Sequence, residues 1–327
     1  MPAAPAVIVV GSYVQDLTWR CASFPTAGQT TLGVFATGPG GKGSNQAVAA
    51  GRAGADVLFV GAVGADAFAA VAQAFYAENQ LAARFVPKPR LATGTAAILV
   101  DDAGQNEIVV ALGANAALGP RDLPPALFKG AKLVVTQLET SLVAVAHTLR
   151  TARRAGAATV LNPAPMRADF DPALLRDVSI LIPNETEFVS LVNLLGLAPK
   201  KAAYTEAALA AEAPAALHAL CRRLGPPVVI VTLGKRGCFV FRAEGGEFIP
   251  GHVVKVVDTT GAGDAFVGGF AHGFVQHGGD VSAAARVGQA VAALSVTKAG
   301  TAPSMPTARE LARFLKTRPT PSPTSPS

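Results

Sequence analysis

Only three cysteines occur in the 327 residues, Cys21, Cys221 and Cys238, an odd number spaced too widely for a disulfide framework or a Cys-x-x-Cys metal site. A reducing, cytoplasmic setting is expected. Charged residues are scarce as well, at 15% against roughly 25% in an average soluble protein. With half the chain hydrophobic, there is ample apolar surface to bury, and wholesale disorder is excluded. No apolar run reaches the roughly 18 to 20 residues that a bilayer span needs; the stretch 287–297 is closed off by Arg286 and Lys298. The opening Met1-Pro2-Ala3-Ala4-Pro5 carries no basic segment, so no cleaved secretory signal is expected. A formal net charge of +6 invites nucleic acid, but the basic residues come no denser than pairs such as Arg153-Arg154 and Arg222-Arg223. Arms that neutralise phosphate backbones come as blocks. Neither nucleic acid nor a membrane is an expected partner.

What is present is a rhythm. Ala6-Val7-Ile8-Val9-Val10 is a short continuous apolar run ending at Gly11, the pattern of a strand buried on both faces of a parallel sheet. It returns at residues 57–60, 133–136, 158–161, 178–182 and 228–232. Between these runs lie Ala-rich segments of helical spacing, at 44–53, 67–79, 142–155 and 185–195. The alternation predicts an α/β fold, a doubly wound and mostly parallel sheet flanked by helices. Two stretches break it: residues 30–37 alternate like a half-buried strand, and 95–100 with 107–112 read as a hairpin around Asp101-Asp102-Ala103-Gly104. They predict a small inserted β-sheet acting as a lid. The expected division is a core of residues 1–11, 38–90 and 114–316, a lid of 12–37 and 91–113, and a Pro/Ser/Thr-rich disordered tail of 317–327. The Ala-rich 198–215 reads as a loose helix or loop.

Two glycine motifs carry the chemistry. In Asp258-Thr259-Thr260-Gly261-Ala262-Gly263-Asp264 the small residues Gly261, Ala262 and Gly263 open a helix whose free N–H groups and dipole suit an anion such as phosphate. An acid in a first turn ordinarily stabilises its helix. Beside an anion-binding turn, however, Asp264 repels the anion unless it faces a different atom, and a nucleophile's hydroxyl proton is that atom. This is the arrangement of a general base for phosphoryl transfer to an alcohol. The segment is no dinucleotide fingerprint, because Phe266 stands where the third glycine belongs. The second motif, Gly38-Pro39-Gly40-Gly41-Lys42-Gly43-Ser44-Asn45-Gln46, fails as a P-loop because Gly43 separates Lys42 from Ser44. A glycine turn running into a helix at Asn45 offers backbone donors and an amide for gripping sugar hydroxyls.

Together, in this order, the two motifs resemble those of the PfkB family of carbohydrate kinases. The resemblance extends through Gly11-Ser12 with Asp16, Phe24-Pro25-Thr26-Ala27-Gly28, Gly113-Ala114-Asn115, Gln137-Leu138-Glu139, Asn162-Pro163-Ala164-Pro165, Pro183-Asn184-Glu185-Thr186-Glu187 and Thr232-Leu233-Gly234, nearly the whole chain. It implies an ATP-dependent kinase, most similar to the members that phosphorylate D-ribose at O5. Alternatives are kinases of deoxyribose, fructose or a nucleoside, or a non-catalytic sugar or nucleotide sensor. The scarcity of aromatics, 6%, disfavours a nucleoside slot, and the retained Asp264 disfavours a sensor.

Residue by residue, the resemblance implies that Asp264 is the base and that Ala262 and Gly263, with Gly261, form the anion hole. It further implies that Asp16, Gly41, Lys42, Asn45 and Glu139 hold the sugar. Asn184 and Glu187 match an Asn-x-x-Glu element that positions Mg²⁺ through water, although alone they read equally as a helix cap. Thr232 and Gly234 would lie along the nucleotide, with Gln289 near adenine. Oxygens of Asp258, Thr260, Ser295, Lys298, Gly300 and Ser304 would hold K⁺, Lys298 through its carbonyl alone. Val14 stands where ribose-specific members carry Asn, which removes one polar contact to the sugar. The family's lids commonly pair, which implies a homodimer. The histidines at 147, 218, 252, 272 and 277 show no ligand spacing, and Tyr13 and Trp19 are expected to pack at an interface.

Overall fold

The computed structural model describes residues 4–198 and 203–317. Along the chain come β1 (Val7–Val10), β2 (Val14–Arg20), β3 (Val34–Gly40), α1 (Lys42–Ala53), β4 (Val57–Val63), α2 (Ala67–Glu78) and β5 (Ala82–Pro87). Next are β6 (Gly94–Val100), β7 (Asn106–Ala111), β8 (Leu133–Thr136), α3 (Leu142–Arg154), β9 (Ala158–Leu161), β10 (Ile180–Leu181) and α4 (Glu185–Leu194). The last third holds α5 (Glu206–Ala211), α6 (Pro214–Leu224), β11 (Val228–Thr232), β12 (Gly237–Arg242), β13 (Gly245–Pro250), α7 (Ala262–Gln276), α8 (Val281–Ser295) and α9 (Ala308–Thr317).

In the described residues the strands make two sheets, one of nine in the order β13-β12-β11-β10-β9-β8-β1-β4-β5 and one of four in the order β3-β2-β6-β7. The large sheet is parallel from β5 to β11 and ends in the antiparallel pair β12 and β13. In β1, Val7 and Val9 join the cluster containing Ala47 of α1 and Phe266 of α7, while Ile8 and Val10 pack with Val134 and Ala144. Both faces are dry, which is why the strand is an unbroken apolar run rather than an alternation. From β1 the chain builds outward to β4 and β5, then returns to β8 on the other side of β1. Ligands of open α/β sheets collect beyond the strand ends at such a reversal. Ser12 and Glu139 follow the two strands that flank it.

The small sheet differs from its expected outline. The strand expected at 30–37 begins at Val34 and continues through Gly38-Pro39-Gly40, pairing with β2 so that Asp16 lies opposite Gly38. Most of the glycine stretch read as a turn is therefore extended, because β2 holds it in a ladder, and only Gly41 is left to lead into α1. The hairpin of β6 and β7 forms as expected, turning where Asp101 Oδ1 accepts the Gln105 N–H at 2.8 Å. A single buried amide ties the chain entering this sheet to the chain leaving it. Asn115 Oδ1 accepts the Tyr13 N–H (3.2 Å), and its Nδ2 donates to the carbonyls of Tyr13 (2.8 Å) and Leu112 (3.0 Å).

Of the Ala-rich 198–215, read as a loose helix or loop, residues 203–215 carry α5 and the start of α6, where Leu209 and Leu217 are buried in one cluster with Phe188 and Leu220. Tyr13 is fully buried, 6.0 Å edge-on from Phe85, so it belongs to the core and not to an interface; Trp19 instead pairs with Phe35 on the small sheet. Of the expected disordered tail only Thr317 is described, as the end of α9; residues 318–327 lie outside the described residues. Among those, no helix is long and apolar enough to cross a membrane.

Candidate active site

The site is built where α7 presses on α1. A Cβ at Gly268 would lie 2.4 Å from Ala49 Cβ and 2.5 Å from the Gln46 carbonyl oxygen, so only glycine lets the helices approach this closely. One turn earlier on α7, the buried Asp264 then reaches α1: Asn45 Nδ2 donates to its Oδ2 and Gln46 Nε2 to its Oδ1, both at 3.0 Å. Hydrogen bonds to a charged group contribute about 1.5–3 kcal/mol each, enough to fix the carboxylate's rotamer.

At the start of α7, Gly261 has φ 75°, in the left-handed region that glycine adopts readily. The turn it makes directs the Ala262 N–H to the Thr259 carbonyl at 3.1 Å. Of the amides expected in an anion hole, Ala262's is thus already engaged, and the donors left at the helix start are those of Gly263 and Asp264. A Cβ on Gly263 would meet nothing within 4 Å. It faces a cleft lined also by Lys42, Asn162, Asn184, Glu187, Thr232 and Gly261. Lys42, expected at the sugar, lines this cleft. Burial lowers its pKa, but the carboxylates of Asp264, Glu139 and Glu187 outweigh burial and hold it above the ordinary lysine value.

Beyond Asp264 lies a second polar region. Glu139 Oε2 accepts the Ser12 hydroxyl (2.6 Å) and the Lys42 N–H (2.8 Å), so the acid after β8 serves as the cap that α1 lacks from its own neighbours. Asp16, on β2, receives a 3.4 Å bond from the Thr301 hydroxyl. Burial foremost, then Glu139 and Asp264, push its pKa up to about 7, with the Thr301 bond opposing them. If Asp16 holds the sugar as an ionised carboxylate, as the resemblance implies, that ability is lost as pH falls through its pKa. We expect kcat/KM for the sugar to fall about tenfold per pH unit below that value while KM for ATP stays level. A profile flat down to pH 5, about two units lower, would exclude a role for ionised Asp16.

The expected Asn-x-x-Glu element forms a capping box: Asn184 Oδ1 accepts the Glu187 N–H (2.8 Å) and Glu187 Oε2 the Asn184 N–H (2.9 Å). The cap and the cleft-lining role coexist, since both residues border the cleft. Burial raises the Glu187 pKa, partly offset by the Asn184 N–H and by Lys42. Thr232 lines the cleft and donates its N–H to the Pro183 carbonyl (2.9 Å), and Gly234 opens the turn two residues on. Gln289 is buried in α8 and is not among the residues lining this cleft.

Asp258 and the 295–304 segment form one unit. Val296's carbonyl accepts the N–H groups of Val257 (2.7 Å) and Asp258 (3.2 Å), and the Asp258 carboxylate accepts those of Thr260 and Gly300, both at 2.9 Å. Although burial opposes it, these donors hold the Asp258 pKa below the usual range. Lys298 turns its ammonium to Glu310 at 2.7 Å. Ser295 and Ser304 are buried, and each donates its hydroxyl to a backbone carbonyl, Ala292 (2.9 Å) and Thr301 (2.7 Å).

Sequence reasoning missed Ser12, Gln46, Asn162 and Thr301 as site residues. Ser12, Gln46 and Asn162 stand inside motifs already singled out, so the signal was adjacency. Thr301 gave none, because it meets Asp16 only through the packing of segments 285 residues apart.

The profile of the pfkB family of carbohydrate kinases matches residues 4–308. Over 316 residues the chain is 39% identical to a ribokinase of Mus musculus, covering 94% of each chain. It is 34% identical to a deoxyribokinase of Salmonella typhi, covering 94% of this chain and 98% of the relative. Among solved structures, an Arabidopsis thaliana ribokinase complexed with ribose and ATP superposes with a TM-score of 0.81 at 29% identity, covering 96% of this chain and 99% of the other. Sequence, fold and the two glycine motifs thus agree, and the chain belongs to the PfkB family of carbohydrate kinases.

Proposed function

We propose that the protein phosphorylates D-ribose at O5 with ATP, with Asp264 as the base. The observation that carries this reading is a carboxylate held by two amides, in the same helix turn as the N–H groups of Gly263 and Asp264, residues that line the cleft. Asp264 takes the proton of the O5 hydroxyl as the O5–P bond forms and the bond from the γ-phosphorus to the bridging oxygen of ADP breaks. The N–H groups of Gly263 and Asp264 receive the phosphoryl oxygens, and Lys42 balances their charge from the same cleft. Asp16, Asn45 and Glu139, with the backbone at Gly41, hold the sugar. Asn45 Oδ1 is buried and has no hydrogen-bond partner among the described residues, an acceptor fit for a sugar hydroxyl.

Asn184 and Glu187 would hold Mg²⁺ through water, in keeping with that ion's habit of retaining its waters, and the ion would neutralise phosphate charge. Asp258, Thr260 and the carbonyls of Lys298 and Gly300 offer the hard oxygens that suit K⁺, with Ser295 and Ser304 beside them; that ion would add positive charge beside the anion hole. Residues 12–37 and 91–113 would serve as the lid. Its sheet exposes Val34 (71%), Phe35 (53%) and Val109 (73%). A second copy covering this face makes the protein a homodimer, for which light scattering should give twice the chain mass.

ATP turnover on ribose, 2-deoxyribose, fructose and adenosine, with and without K⁺, tests the assignment. Ribose should give the highest kcat/KM, and K⁺ should raise it. Adenosine or fructose as the best substrate would overturn it. The buried, apolar Val14 favours a second reading, 2-deoxyribose, since a pocket without a polar partner loses little when a hydroxyl is missing.

A further inference from the structure

We propose that Gln46 is a positioning residue for this phosphoryl transfer: its amide orients the Asp264 carboxylate and ties it, through Asn162, to the Glu187 end of the cleft. The inference deepens the proposed function and rests on it. Gln46 is fully buried, and both of its amide protons are assigned, one to Asp264 Oδ1 and one to Asn162 Oδ1, each at 3.0 Å. Its carbonyl oxygen accepts from Gln137 Nε2 at 2.6 Å. Reversing the Gln46 amide would set its oxygen against a carboxylate and a carbonyl oxygen and its NH₂ against that of Gln137. Gln137 bears the mark of this imposed polarity, because it points its NH₂ inward although its own carbonyl oxygen, fully buried, then lacks a partner among the described residues.

From Gln46 the direction carries onward. Asn162 Nδ2 donates to the Ile182 carbonyl (2.9 Å) and to Glu187 Oε2 (3.4 Å), the oxygen that also receives the Asn184 N–H. Two amides therefore span the distance between the base and the acid on the metal side. The charged groups facing Asp264 are Lys42 of α1, Asp16 of β2 and Glu187 of α4. Lys42 and the two acids set its electrostatic surroundings; Gln46, with Asn45 on the other oxygen, sets its direction.

The test compares Gln46→Met with Gln137→Met in the full-length protein, each removing one buried amide of the same chain. For Q46M we expect kcat to fall about tenfold or more with both KM values nearly unchanged, and the acid limb of kcat to move up by about one pH unit, because the base has lost a donor to its charged form. The kcat profile reports the substrate complex and so excludes titration of Asp16 in the free enzyme. Q137M leaves the Asp264 bond in place, and its kcat and limb should stay close to wild type. Equal losses in both variants, or a wild-type profile for Q46M, would overturn the proposal. Should Q46M fail to fold, Gln46→Glu keeps the shape and must share a proton with Asp264, which weakens the base, so wild-type kcat at neutral pH in Q46E would overturn it equally. If the wild-type protein does not phosphorylate ribose, or D264N remains active, the functional reading fails; if both behave as expected and only Q46M is unaffected, this inference alone fails.

Discussion

Asp264→Asn should lower kcat by about 10³-fold, within the 10²- to 10⁴-fold that a positioned base supplies, while the affinity for ATP changes little. The substitution is isosteric, so it isolates the proton acceptor from the shape of the site. It also introduces a conflict. Asn45 and Gln46 each donate to one oxygen of Asp264, and an asparagine there can accept only one of them, turning its own NH₂ against the other. A buried donor left unpaired destabilises by about 1–3 kcal/mol, which in a domain of more than 300 residues lowers Tm by a few degrees. Steady-state turnover, ATP titration and calorimetry on the same preparation separate these effects. A variant that keeps a tenth of the activity would contradict the assignment of the base.

Gly268→Ala should damage both stability and turnover, although the residue touches neither substrate. Its methyl would have to share space with Ala49 Cβ and the Gln46 backbone at 2.4 and 2.5 Å, and α1 and α7 must separate by about an ångström to relieve such overpacking, typically losing 1–3 kcal/mol. The bonds from Asn45 and Gln46 to Asp264 start at 3.0 Å, so the same shift takes them beyond good hydrogen-bond range, about 3.2 Å. A misplacement of this size can lower kcat about 10²-fold. Gly269→Ala is the control: its methyl meets Val291 and Gly288 of α8, so it should cost similar stability and far less turnover. Equal loss of kcat in both variants would mean that general loosening of α7, and not the α1 contact, accounts for the effect.

Six of the nine strands of the large sheet were legible because strands dry on both faces leave short, continuous apolar runs; the edge strand β5 and the antiparallel pair β12 and β13 were not. The small sheet was only half legible. β6 and β7 were legible as a hairpin through the turn Asp101-Asp102-Ala103-Gly104, whereas β2 mixes Val14, Asp16 and Trp19 with polar neighbours and gives no alternation, because its burial fades along the strand from Val14 to Arg20. Within the site, Asp264 could be singled out since an acid beside a phosphate turn conflicts with the obvious chemistry there. Gln46 and Asn162 conflict with nothing locally. Their importance lies in partners more than 100 residues away, and a sequence read along its length does not display which amides will face each other.

The amide of Asn115 has a mechanical corollary. Because one side chain grips both Tyr13, which leads into β2, and Leu112, which follows β7, these two connections share a common pivot, and if the small sheet is the proposed lid, its swing would have to rotate both about the same point or break the clamp. A lid anchored in this way would open as a stiff shutter rather than as a pair of loose ribbons.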